Sequence, residues 1–412
     1  MDSLTRRRFL TLSGVTAAGA LAIGATQVNW DDLMKAAADD PLDASQGVLV
    51  VVTLYGGNDG LNTVVPAEDP AYQDARPDLA YEPGEVLGLG EGLGLNPGLK
   101  GLKGLWDEQG LAVVRGVGYA QPDHSHFRSM AIWQTASPRT SVPSGWLGRW
   151  LDETAGDDPL RALSVEPLLP PMLAGERTAA ASFPLNGLKL PSGPLGEAFT
   201  ALGQPSGGEE PWQARVSRSI ADLRRTATTL TGSPDGGKLP EDDPDEQRDK
   251  GASAGGGGAL GAQLDVVARL IEANAPCRVY SASLGGFDTH SDERATQQRL
   301  LTELDAALTP FVRRVGKRAV VLVYSEFGRR VRANASDGTD HGTAGPVFLL
   351  GAGVRGGFYG AQPSLTDLDD GDLLQTTDFR DVYATVLDRV LGTEPARVLK
   401  DHTGQLEGVF AT

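Results

Sequence analysis

The stretch Gly47-Val48-Leu49-Val50-Val51-Val52-Thr53-Leu54-Tyr55, closed by Gly56-Gly57-Asn58-Asp59-Gly60, decides the fold class. Its apolar, β-branched residues run on without alternation. That is the pattern of a strand buried on both faces, as in a parallel sheet. Further candidate strands lie at 111–115, 162–165, 278–283, 319–324 and 347–350. Helical patterns fall among them at 126–135, 212–231, 260–274, 292–315 and 378–391. Strands alternating with helices predict an α/β fold with helices on both faces of a sheet.

Composition narrows the function classes. The chain has 412 residues and a net charge of −17, with 37 Lys and Arg against 54 Asp and Glu. No basic stripe stands out, which argues against binding a nucleic-acid backbone. A single cysteine, Cys277, excludes an intramolecular disulfide framework and a multi-cysteine metal site. It reads as a buried structural thiol.

The opening Thr5-Arg6-Arg7-Arg8-Phe9-Leu10 precedes an uncharged stretch from Phe9 to Asn29. This pattern resembles a twin-arginine export signal over residues 1–29, which hands folded proteins to the twin-arginine machinery. It predicts an exported protein, periplasmic, cell-surface or extracellular, with no stable membrane span. Residues 45–412 then read as one α/β domain. The Gly-, Pro- and Asp-rich segment 232–258 cannot bury enough apolar area to order itself, and it reads as a flexible loop.

Catalytic groups in open parallel sheets gather just beyond the strand ends. Four glycine-flanked polar clusters lie there: 56–60, 284–290, 325–329 and 338–343. They bring Asp59, Asp288, His290, Glu326 and His341 as candidate ligands. Imidazole with carboxylate suits zinc and other divalent first-row metals. Each residue alone has a structural alternative. Asp288 or Ser291 could cap the following helix, Asp59 could shape a turn, Glu326 could pair with Arg329 or Arg330, and His341 could bond a loop carbonyl. A fifth cluster, Pro122-Asp123-His124-Ser125-His126-Phe127-Arg128, enters a helix. Ser125 there is either an N-cap or a nucleophile at an anion-stabilising helix end. His126 and Arg128 add metal-binding or positive groups. The one Gly-x-Ser-x-Gly run, Gly251-Ala252-Ser253-Ala254-Gly255, lies in the low-complexity segment and follows no candidate strand, so it does not read as a nucleophile elbow, and no Walker phosphate loop is present.

The export signal, Leu54-Tyr55-Gly-Gly-Asn-Asp-Gly-Leu-Asn62, Ser125-His-Phe-Arg-Ser-Met130, Ser283-Leu-Gly-Gly-Phe-Asp-Thr-His290, Ser325-Glu-Phe-Gly-Arg329 and Thr339-Asp-His-Gly-Thr343 together resemble the domain-of-unknown-function family 1501. That family is distantly similar to the alkaline phosphatase and sulfatase superfamily. The resemblance implies an alkaline-phosphatase-like three-layer sandwich with a mostly parallel central sheet and a metal site at the strand ends. By position, Asp59 would resemble the first metal-binding aspartate and Ser125 the nucleophile. Asp288, His290 and His341 would hold one ion, with Glu326 near a second. Glu326 is followed by Phe327 where the superfamily has His, so one ion, two ions or none are all compatible, with His126 a substitute ligand. Arg128 or Arg329 would steady an anionic group. The function implied is metal-dependent hydrolysis of phosphate or sulfate esters. The alternatives are a non-catalytic binder of an envelope ligand, and a carbohydrate-active enzyme using Asp59 and Glu326 as a carboxylate pair.

Overall fold

A computed structural model describes residues 26–28, 30–154, 158–166, 168–183, 185, 201 and 260–411. Most of the export signal, the helix expected at 212–231 and the loop expected at 232–258 lie outside the described residues.

In chain order the strands are β1 (Thr26–Gln27), β2 (Val48–Leu54), β3 (Val64–Val65), β4 (Leu87–Gly90), β5 (Leu93–Leu95), β6 (Leu111–Gly118), β7 (Ala162–Ser164) and β8 (Ala181–Ser182). They continue as β9 (Val279–Leu284), β10 (Ala319–Ser325), β11 (Gly345–Gly351), β12 (Gly357–Tyr359), β13 (Leu368–Asp369), β14 (Asp372–Leu373) and β15 (Thr377–Asp378). The described helices are α1 (Trp30–Asp39), α2 (Pro70–Ala75), α3 (Lys100–Asp107), α4 (His126–Thr135), α5 (Trp146–Thr154), α6 (Leu260–Glu272), α7 (Glu293–Val315), α8 (Phe379–Arg389) and α9 (Pro395–Leu399).

The central sheet runs β1-β8-β7-β9-β2-β10-β11-β6-β12, with β15 also paired to β6. From β1 to β10 every neighbouring pair is parallel. Only β11 is reversed, antiparallel to both β10 and β6. Thr26–Gln27, within the stretch read as the export signal, forms the outer edge beside β8.

The continuous apolar run of β2 is explained by its two covered faces. Val48, Val50, Val52 and Leu54 pack with Leu264 and Val267 of α6 and Leu300 and Leu304 of α7. Leu49 and Val51 point the other way, into a cluster with Trp133 of α4, Trp146 and Trp150 of α5 and Tyr383 of α8. Successive side chains alternate across the sheet, so a layer of helices on each side demands apolar residues at every position. Each such side chain contributes about 1.5–3 kcal/mol on burial. In α7 the buried Leu300, Leu304, Leu308, Phe311 and Val315 recur every three or four residues, which lays one stripe along the sheet. The result is a three-layer α/β sandwich. Cys277 is a free, fully buried thiol before β9, its pKa pushed up to about 12 by burial. Among the described residues no helix is long and apolar enough to cross a membrane.

Candidate metal centre

The carboxyl ends of β2, β6, β9 and β10 share one edge of the sheet, and the segment leading into the reversed β11 meets them there. This edge collects Gly56-Gly57 after β2, His126 at the start of α4, Asp288 and His290 after β9, Glu326 after β10, and His341 before β11. The turn after β2 needs glycine. Gly56 and Gly57 have φ of +116° and +69°, and a Cβ on Gly56 would lie 2.5 Å from the Asp288 backbone nitrogen.

Arg329 ties these loops together from beneath. Its side chain is wholly buried. Nε donates to the Gly57 carbonyl at 2.6 Å, and Nη1 to the Thr339 carbonyl at 2.9 Å. Nη2 reaches the carbonyls of Gly56 and Phe287 and donates to Asp288 Oδ1 at 2.8 Å. The guanidinium is spent on the scaffold, so the expectation that Arg329 steadies an anionic ligand does not match its placement.

Around Asp288 Oδ1 three imidazoles converge. Nε2 of His290, His341 and His126 lie 3.1, 3.2 and 3.3 Å from it. Each Nδ1 turns outward to an oxygen. That of His126 is 2.9 Å from Glu326 Oε1, that of His341 is 2.7 Å from the His124 carbonyl, and that of His290 is 3.4 Å from Asp340 Oδ1. An N–H at Nδ1 satisfied by an oxygen leaves the lone pair on Nε2. In that neutral tautomer the Nε2 lone pairs lie beside the Asp288 carboxylate. His126 Nε2 is buried and makes no hydrogen bond. Among the described residues, His126, Asp288 and His341 form one trio whose ligand atoms all lie within 4.8 Å of one another. His290 is not one of that trio, but its Nε2 lies 3.0 Å from that of His341, at the rim of the cluster.

The electrostatics favour positive charge here. Burial by itself would lower the His126 pKa, but the carboxylates of Asp288 and Glu326 outweigh it and push it up to about 9. Burial would raise Asp288, yet His126, His341 and Arg329 hold it well below the usual carboxylate range. Protons or a metal ion would satisfy the same demand.

Glu326 is buried and spent on neighbouring groups. Oε1 accepts from the Gly56 backbone N–H at 3.0 Å and faces His126, while Oε2 accepts from Ser325 Oγ at 3.0 Å. Asp59 is not brought to the cluster. Both its oxygens bind the guanidinium of Arg76, and both side chains are fully buried. Ser125 is the N-cap of α4 and exposed, with no side-chain capping bond. Arg128 lies half-buried on the same first turn. Sequence reasoning did not single out Arg76 or the pair His124 Nε2–Asp372 Oδ2, 2.6 Å apart. Neither has a local motif, since both are made by distant segments.

Comparison with known proteins adds the following. No curated protein matches the chain. Among solved structures it is similar to a protein in the alkaline phosphatase superfamily from Vibrio parahaemolyticus, at 8% identity and TM-score 0.39, covering 93% of this chain and 80% of that one. It is also similar to the C-terminal periplasmic domain of EcEptC from Escherichia coli in complex with Zn, at 11% identity and TM-score 0.35, covering 75% and 74%. A third is the phosphonate monoester hydrolase of Agrobacterium radiobacter, at 10% identity and TM-score 0.32, covering 88% and 78%. At such values the likeness says nothing of activity. Residues 195–410, more than half of the chain, match the family described as protein of unknown function (DUF1501), and the chain belongs to that family.

Proposed function

We propose that this protein is an exported, metal-dependent hydrolase of phosphate or sulfate esters. One observation carries the reading: three imidazole Nε2 atoms converge on Asp288 Oδ1, and the Nδ1 atoms of His126 and His341 are each held by an oxygen. Imidazole and carboxylate donors suit zinc and its first-row neighbours, whereas magnesium and calcium favour oxygen-only shells. A divalent ion held by His126, Asp288, His290 and His341 would polarise an ester oxygen and stabilise negative charge developing on it.

The chain's own groups supply the rest. Ser125 precedes the ligand His126, and its hydroxyl is not used in capping. That makes it the candidate nucleophile, beside the unpaired N–H groups of the α4 terminus, which suit an anion. Arg128 brings a positive charge to that turn for the anionic group of the substrate. Glu326 orients the His126 ring, and Arg329 holds Asp288 in place. The Arg-Arg pattern at residues 6–8 supports the exported reading.

The test is metal analysis of protein purified without chelators, beside a panel of phosphate and sulfate esters. The expected result is bound divalent metal and turnover that is abolished in Ser125→Ala while metal and fold are retained. Full activity of Ser125→Ala would remove Ser125 as the nucleophile. Bound metal with no turnover of any ester would leave a ligand-binding protein instead.

A further inference from the structure

We infer that the centre holds one divalent ion per chain, and that the guanidinium of Arg76 takes the charge-compensating place a second cation would have at Asp59. The inference rests on the metal-dependent reading above and fixes its stoichiometry and ligand set.

A second ion needs carboxylates with free oxygens; Asp59 and Glu326 are engaged, and Glu293, whose buried Oε1 has no partner, lies beside Asp59 under the same Arg76 charge. Asp59 is held on both oxygens by Arg76 and also accepts from the Leu61 backbone N–H at 3.2 Å. Arg76 is built in with equal care. Its Nε donates to the Val331 carbonyl at 2.8 Å, Nη2 to the Arg330 carbonyl at 2.7 Å, and Nη1 to Asn62 Oδ1 at 3.1 Å. An ion at Asp59 would have to displace a fully desolvated guanidinium from all of these partners. Glu326, the other carboxylate a second ion would call on, is committed to His126, Gly56 and Ser325. Its partner ring is already turned so that Nε2 faces Asp288.

Among the described residues, the remaining histidine–carboxylate pair at this edge does not make a second centre. His124 Nε2 and Asp372 Oδ2 bond each other at 2.6 Å, and the Arg330 guanidinium stands 3.6 Å from Asp372 Oδ1. Two ligand atoms beside a fixed positive charge are a poor cation site. What remains is a single nitrogen-rich set of His126, His290, His341 and Asp288, which selects zinc, cobalt or nickel over magnesium.

The test is ion stoichiometry of the full chain. The protein is equilibrated with excess Zn²⁺, freed of loose ion by gel filtration and measured by mass spectrometry for metal per chain. Titration with Co²⁺ followed by visible absorbance gives the same count independently. The expected result is saturation at one ion per chain, a loss of at least tenfold in retained metal in His341→Ala, and an unchanged count in Asp372→Asn. Two tightly held ions per chain in the parent would overturn the inference and leave the hydrolase reading standing. No ion in the parent would overturn both. The parent count decides the matter even if a variant fails to fold.

Discussion

Glu326 Oε1 lies 2.9 Å from Nδ1 of His126, 200 residues away in the chain, and that contact fixes which nitrogen of the ring faces Asp288. The carboxylate is buried, so it acts on the ring rather than on solvent. Partners of this kind set ring orientation and raise ligand basicity, and their loss typically costs about 10–100-fold in metal affinity. Glu326→Gln keeps an acceptor for the Gly56 N–H but removes the charge. Competition against a chelator should show affinity falling within that range with the ion count unchanged. Unaltered affinity would reduce Glu326 to a loop tether.

The Asp59–Arg76 pair makes a different prediction. Both side chains are fully buried, so removing one leaves an uncompensated charge in the interior. Arg76→Met should destabilise the fold by about 3–5 kcal/mol, the usual cost of breaking such a pair. Urea denaturation measures it. A loss below about 1 kcal/mol would mean that water or another group relieves Asp59.

What could be read in the sequence follows from how each contact is encoded. The run at 47–55 became β2, because a strand covered on both faces writes itself as uninterrupted apolar residues. Helices expected at 260–274 and 292–315 appear as α6 and α7 because a one-sided stripe has its own period. The reversal of β11 was not legible, since a buried strand reads the same in either direction. Nor were the two-residue strands β1, β8 and β15, which are too short for any period. At the site, glycine-flanked polar clusters pointed to His290 and His341, but residue type could not say that Arg76 would claim Asp59 or that Arg329 would face inward. Those outcomes depend on pairings across 17 and 41 positions that leave no local pattern.

Gly57 offers a local test of how tightly the centre is framed. Its φ is +69°, and a Cβ there would run into the ring of Phe327. That ring packs at 4.9 Å, centroid to centroid, against both His126 and His341. Gly57→Ala should therefore cost about 1–3 kcal/mol from the backbone alone, with the clash adding to it. Because the displaced ring supports two of the proposed ligands, metal affinity should fall as well. Thermal unfolding and metal competition on the same sample separate the two effects. Lost stability with intact affinity would show that Phe327 can move without disturbing the histidines.

Glu166 predicts the pH dependence of stability. It is buried at the end of β7, accepting hydrogen bonds from Ser281 and Tyr55, and burial pushes its pKa up from 4.5 to about 7 despite those bonds. The unfolded chain thus gives up this proton at lower pH than the folded one. Its contribution is fully present below about pH 4.5 and is lost as pH rises through about 7, a change of about 3 kcal/mol. Glu166→Gln keeps one acceptor oxygen, for Ser281 or for Tyr55, turns an amide N–H toward the other hydroxyl, and cannot ionise. Melting temperatures taken from pH 4.5 to 8 should fall in the parent and stay flatter in the variant. Glu293, raised by burial and by Asp59 beside it, leaves a residual slope from about pH 4.5 upward in both. Identical slopes between pH 4.5 and 7 would show that Glu166 is ionised in the fold and that Ser281 and Tyr55 outweigh its burial.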